Sequence, residues 1–263
     1  MMCYNPLTRA ETGKEGDFEM RYMTRADLKD TAQPVLRAYR KLPQAQEHPW
    51  YVDPALLAKE VLGLTIRYRH LTEDGGLLGL TSYGEMELEL PDGETHGSCL
   101  LDGKTILIES NLLYDPYGPG RLHFTIGHEC AHHILHRLHP FSYGDGPEMR
   151  RALPCRNHRL RARESERAWE EWQMDVLAAE LLMPEELILQ DLRLAGCPGG
   201  FDVLNPVWRR KEFDRFVDLC RLMHVSKQAL AYRLKLLCLL RQNQMACPNA
   251  MIDIDMDEEE MVI

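Results

Sequence analysis

Gly120-Arg121-Leu122-His123-Phe124-Thr125-Ile126-Gly127-His128-Glu129-Cys130-Ala131-His132 is the stretch whose reading decides this chain, and it runs on through Leu135 and His136. Pro119 and Gly120 break the chain just upstream. Phe124, Ile126, Ala131, Ile134, Leu135 and Leu138 supply apolar surface for burial, so the segment reads as a helix. On a helix His128 and His132 lie one turn apart on one face. Two imidazoles so placed can hold one zinc ion, and Glu129, next to the first of them, can reach a water activated there. The same pattern also arises by chance in a chain with eleven histidines, so the reading needs a third ligand.

Trp169-Glu170-Glu171-Trp172-Gln173-Met174-Asp175-Val176-Leu177-Ala178-Ala179-Glu180-Leu181-Leu182-Met183-Pro184 supplies a candidate. It predicts a helix that stops at Pro184. Glu171, Asp175, Ala178 and Leu182 recur at i, i+4, i+7 and i+11 and share one face. A carboxylate at Glu171 would complete a His-His-Glu set and leave a fourth position to water. Asp175, one turn on, is placed to accept a hydrogen bond from the free ring nitrogen of a liganding histidine. Ala178 and Ala179 are small enough for two helices to pack closely. The plainer reading is a solvated face carrying Glu170 and Glu171.

Together the two segments resemble the ImmA/IrrE metallopeptidases. The resemblance rests on His128-Glu129-Cys130-Ala131-His132 and on the helix Glu171-x-Gln173-x-Asp175-x-x-Ala178-Ala179-x-Leu181-Leu182-Met183-Pro184. It extends to His136 and to the Arg121-x-x-Phe124-Thr125-Ile126 lead-in, and covers residues 49–240. Met174 and Leu177 stand where that family carries Ala and Phe, and the interval from His132 to Glu171 is longer than its norm. The resemblance implies a cytoplasmic, bacterial or phage zinc endopeptidase with a protein substrate. That substrate is typically a helix-turn-helix transcriptional repressor whose cleavage relieves repression. His128, His132 and Glu171 would hold Zn2+, or another divalent ion such as Mn2+. Glu129 would take a proton from the attacking water and pass it to the leaving amine. Tyr143, His136 and His158 are the candidates for stabilising the oxyanion.

Composition bounds this reading. The chain has 263 residues, 44% of them hydrophobic, enough for one large or two modest domains. A net charge of −10 argues against the chain as a whole being a partner for polyanions. Residues 1–23 mix acidic and basic side chains without an apolar run, unlike a signal peptide. The apolar run at 236–240 is too short to span a bilayer. Eight scattered cysteines with no C-x-x-C pair read as reduced thiols, which fits the cytoplasm. Cys155 and His158 form half of a second zinc motif and no more.

The predicted fold is α+β: a zincin-like small twisted sheet with the metal helix, then a helical C-terminal half with a helix-turn-helix-like unit. Residues 1–47 read as an extension with a short helix at 35–40, residues 48–197 as the peptidase domain, 198–246 as the helical unit, and 247–263 as an acidic disordered tail. Asp53 and Pro54 start a helix that Gly63 ends. Strands are expected at 64–69, 77–83, 86–90 and 104–109, with turns at Asp92-Gly93 and Asp102-Gly103. The last strand, Lys104-Thr105-Ile106-Leu107-Ile108-Glu109, is either an edge on which an extended peptide substrate pairs or an ordinary interior strand.

Two basic regions bear on other functions. Arg150, Arg151, Arg156, Arg159, Arg161 and Arg163 have no acidic residue among them. They suit a solvated loop, or contacts to phosphates or an acidic substrate, and they join the two halves of the site as a lid would. Residues 206–245 carry nine Lys/Arg against three Asp/Glu, with Ser226 as the N-cap of a second helix. A DNA-binding regulator with a structural or vestigial metal site is therefore the rival from another class. An accessory protein of a toxin–antitoxin or phage system that acts by binding alone is a third.

Overall fold

The computed structural model of the chain describes residues 23–92, 95–116, 119–139, 152–156 and 166–249. Its first helix, α1 (Arg25–Tyr39), starts where Thr24 and Asp27 close a capping box, each backbone N–H donating to the other's side chain. Leu28, Ala32, Leu36 and Tyr39 recur at three- to four-residue spacing and are all buried. After α2 (Pro43–Glu47), Asp53 caps α3 (Pro54–Leu56) by accepting from Ala55 N and Leu56 N, and the chain runs on through a π-turn at Leu57–Val61.

The strands β1 (Thr65–Arg69), β2 (Leu77–Ser82), β3 (Glu85–Asp92), β4 (Thr95–Asp102) and β5 (Thr105–Glu109) come next. The central helix α4 (Gly120–Leu138) follows a 3-10 turn at Ser110–Tyr114. Then come β6 (Ala152–Arg156), α5 (Glu166–Leu182), α6 (Glu185–Leu194), β7 (Phe201–Leu204), α7 (Arg210–Leu222), α8 (Lys227–Leu236) and β8 (Leu240–Asn243). The architecture is mixed α/β, with helices packed around small sheets. No helix among the described residues is long and apolar enough to cross a membrane.

The main sheet has the order β1-β5-β2-β6, with β1 parallel to β5 and the other pairs antiparallel. This corrects the edge-strand alternative for Lys104, Thr105, Ile106, Leu107 and Ile108. Strand β5 is interior, hydrogen-bonded to β1 on one side and β2 on the other. Both its faces are covered as well. Ile106 and Ile108 lie in the main core, while Leu107 joins Leu71, Leu80, Leu90 and Leu101 in a second cluster with the β3–β4 hairpin. A continuous apolar run is what burial on two faces demands. Strands β4, β6, β7 and β8 were not expected. β4 carries Gly97 and Ser98, and β6 carries Pro154, which a sheet edge tolerates.

One core unites the ends of the chain. Leu28 and Leu36 of α1, Ile126 and Leu135 of α4, Met174 and Leu181 of α5, and Phe216, Leu230 and Leu234 of α7 and α8 belong to one cluster. Residues 25–39 are therefore part of the core, not an appendage, and Met23 N donates to the side-chain Oε1 of Gln173 in α5 at 2.9 Å. Ser226 caps α8, accepting from Ala229 N. The turn before it presses on α4: a Cβ at Gly120 would lie 2.6 Å from Ser226 N and 2.8 Å from the Val225 carbonyl carbon. Tyr143, His158, the acidic tail and all the arginines of the basic cluster but Arg156 lie outside the described residues.

Candidate metal centre

Helix α4 is buried on every side from Thr125 to Leu135. A helix so placed must send its polar side chains to partners inside the protein. At 100° per residue, His128 and His132 share one face and Glu129 points about a quarter-turn away. The two faces have different neighbours. The imidazoles meet α5, and Glu129 meets β2 of the sheet.

On the α5 side, Glu171 Oε2 lies 3.4 Å from His128 Nε2, and Glu171 Oε1 lies 3.8 Å from His132 Nε2. The two Nε2 atoms are 3.1 Å apart. One nitrogen of each ring and one carboxylate oxygen all fall within 4.8 Å of one another, and all three residues are buried. His128 Nδ1 faces Asp175 Oδ1 at 2.8 Å. A carboxylate there assigns the proton to Nδ1 and leaves the Nε2 lone pair turned inward. His132 Nδ1 faces the Tyr83 hydroxyl at 3.2 Å, and the Tyr83 ring stacks on His136 at 3.9 Å. In the tautomer that turns the His132 Nε2 lone pair inward as well, Nδ1–H donates to the Tyr83 oxygen.

Two lone pairs and a carboxylate then converge on one point. The separations of 3.4 and 3.8 Å are too long for well-formed hydrogen bonds. A divalent metal ion placed among these atoms would be met by all three side chains, so these residues fit one. Two imidazoles and one carboxylate are borderline-soft and hard donors of the kind zinc accepts.

On the sheet side, Thr81 Oγ1 donates to Glu129 Oε2 at 2.5 Å, while Glu129 Oε1 is buried with no hydrogen bond. Gly79 makes the space for that oxygen: a Cβ there would collide with Oε1 and come within 2.9 Å of Thr125 Cγ2. Burial raises the Glu129 carboxyl to about 8, opposed by His128 and the Thr81 hydrogen bond and helped by the negative charge of Glu171. A cation beside it would favour the charged form again.

The structure thus brings His128, His132 and Glu171 together, with Asp175 behind the first ring. Glu170 is also buried but stands outside the group, and Glu180 is committed to Arg233. Gly79, Thr81 and Tyr83 contact Glu129 or His132, and sequence reasoning missed them. The signal was faint: a glycine and a threonine inside the apolar strand Leu77-Leu78-Gly79-Leu80-Thr81-Ser82, and an aromatic residue just past its end. Of the oxyanion candidates, His136 is stacked on Tyr83; Tyr143 and His158 are not described. No second ligand group of three is found among the described residues. No protein-family description matches the chain, and no curated protein is detectably similar to it.

Proposed function

We propose that this protein is a zinc-dependent endopeptidase that cuts a specific protein substrate, in keeping with the resemblance to the ImmA/IrrE peptidases. The observation that carries the reading is the convergence of His128, His132 and Glu171 beside a buried Glu129 with one oxygen free of hydrogen bonds. A purely structural metal site has no use for that neighbouring acid.

Bound to these three residues, zinc would supply Lewis acidity, activating water and polarising a peptide carbonyl. Asp175 and Tyr83 hold the imidazoles in the orientation that ligation needs. Glu129 Oε1 takes the proton of the attacking water while Oε2 stays anchored to Thr81. The same carboxyl then gives that proton to the leaving amide nitrogen. Among the described residues β6 is the sheet edge next to β2, and so is the strand on which an extended peptide would pair. A transcriptional repressor is the substrate class we favour, and the cytoplasm the compartment. The rival reading as a DNA-binding regulator loses a cation of its second helix, because Arg233 is buried against Glu180.

Co-expression with a panel of helix-turn-helix repressors tests the proposal. The native chain should yield a discrete repressor fragment, abolished by a chelator. Glu129→Gln should keep its zinc and lose cleavage by ~10²–10⁴-fold. Equal cleavage by Glu129→Gln would sink the peptidase reading.

A further inference from the structure

The C-terminal end of the described chain is tied down by one side chain. Asn205 is 1% exposed. Its Nδ2 donates to Gln244 Oε1 and to the Pro248 carbonyl, both at 2.8 Å. Its Oδ1 accepts from Val207 N at 2.8 Å and from Trp208 N at 2.9 Å. The chain therefore leaves Asn249 beside the segment Val207-Trp208-Arg209-Arg210-Lys211.

That segment is unusual in its surroundings. Val207 is 52% and Trp208 67% exposed, and with Arg209, Arg210, Lys211 and Glu212 they line a shallow cleft of about 340 Å³. Among the described residues Arg209 and Arg210 make only long, exposed ion pairs, at 3.3 and 4.0 Å, to Glu212 and Asp214. Lys211 has no ion pair among the described residues. An exposed indole bordered by three cations is a surface that suits an acidic, partly apolar segment.

The chain itself carries such a segment a few residues away. Residues 251–263 read Met-Ile-Asp-Ile-Asp-Met-Asp-Glu-Glu-Glu-Met-Val-Ile, with six carboxylates and no Lys or Arg. Ile252, Ile254 and Met256 alternate with Asp253, Asp255 and Asp257. The apolar residues of this segment suit Val207 and Trp208, and its carboxylates are opposite in charge to Arg209, Arg210 and Lys211. Tethering at Asn205 makes the encounter intramolecular, with an effective concentration of ~mM.

We propose that acidic residues 253–260 dock in cis on the Trp208–Lys211 surface and hold it against other acidic partners. Carbodiimide coupling, which joins an amine directly to a carboxylate, tests this on the full chain. At low salt Lys211 Nζ should become linked to a carboxylate of residues 253–260 within one molecule. The yield should fall several-fold in 0.5 M NaCl, where charge pairing is screened. Mixing ¹⁴N and ¹⁵N chains distinguishes the occupants: a link between differently labelled copies assigns the surface to a second molecule and overturns the proposal. Links from Lys211 that never include the tail overturn it too. A second readout keeps the outcome clear if Lys211 reacts poorly. In a full chain carrying Asp→Asn at 253, 255 and 257 and Glu→Gln at 258, 259 and 260, amide exchange at residues 207–212 should quicken several-fold. Unchanged exchange overturns the proposal.

Discussion

Glu171 and Glu180, two of the buried acidic side chains of helix α5, have opposite surroundings. Glu180 is closed: Arg233 Nη1 and Nη2 each reach one of its oxygens at 2.6 Å, and Arg233 Nε donates to the Met183 carbonyl at 3.0 Å. All three guanidinium nitrogens of Arg233 reach an acceptor inside the protein. Glu171, nine residues earlier, faces two imidazole nitrogens whose other ring positions are already engaged by Asp175 and Tyr83. One nitrogen of each ring and one oxygen of Glu171 lie close enough together to share a metal ion. A buried charge that is fully answered holds a fold together, whereas buried donors that converge on one point mark a place for a ligand.

The contrast can be broken at each end. The largest effect is expected at the closed pair. Arg233→Met leaves the Glu180 carboxylate buried without its counter-charge and should cost ~3–5 kcal/mol in urea unfolding. Adding Glu180→Leu should recover most of that loss. If the single variant is as stable as the native chain, the pair is not structural. Next comes the open group. Free zinc at 100 times its Kd should stabilise the native chain by ~2.7 kcal/mol, and Glu171→Ala should remove that gain while leaving the metal-free chain about as stable.

A third buried acid sharpens the comparison, because it has neither kind of neighbour. Asp191 of α6 is 0% exposed, and neither carboxylate oxygen has a hydrogen bond. Burial raises its carboxyl from the usual 3.8 to about 7. Between those values the folded chain keeps the proton and the unfolded chain releases it, so stability falls as pH rises from about 4 to 7. Asp191→Asn should lose that slope and outlast the native chain by ~2 kcal/mol at pH 8, with the difference vanishing near pH 4. Denaturation midpoints across pH 4–8 decide it. The smallest effect belongs to Tyr83→Phe, which should weaken zinc by about tenfold in chelator competition, equivalent to ~1.4 kcal/mol. Unaltered affinity would remove Tyr83 from the site.

The donor spacing was legible because a helix repeats: residues 128 and 132, and separately 171 and 175, had to share faces. What joins the two helices was not written in either segment. The contacts of Glu129 with Gly79 and Thr81 depend on strand β2 passing over α4, a non-local placement that no periodicity records. Strand β5 was visible as a strand, yet its neighbours were not, since pairing order depends on the β1–β5 parallel crossover. The signal for α1 was present in Thr24-Arg25-Ala26-Asp27 and was overlooked, because the polar first turns outweighed the buried stripe that follows. Strands β4 and β6 take their shape from pairing with β3 and β2 rather than from strand-forming residues of their own.

Gly120 gives the turn at Val225 and Ser226 a mechanical meaning. The first residue of α4 is seated against that backbone with no space for a methyl group. With a rise of 1.5 Å per residue, His128 and His132 stand roughly 12 and 18 Å along the rod from its seat. A tilt of one degree at the seat would swing their nitrogens by about 0.2–0.3 Å, comparable to the ~0.2 Å tolerance of metal–ligand distances. The helix is a pointer whose pivot is held by the C-terminal part of the chain, so bulk added at the pivot is read out at the far end.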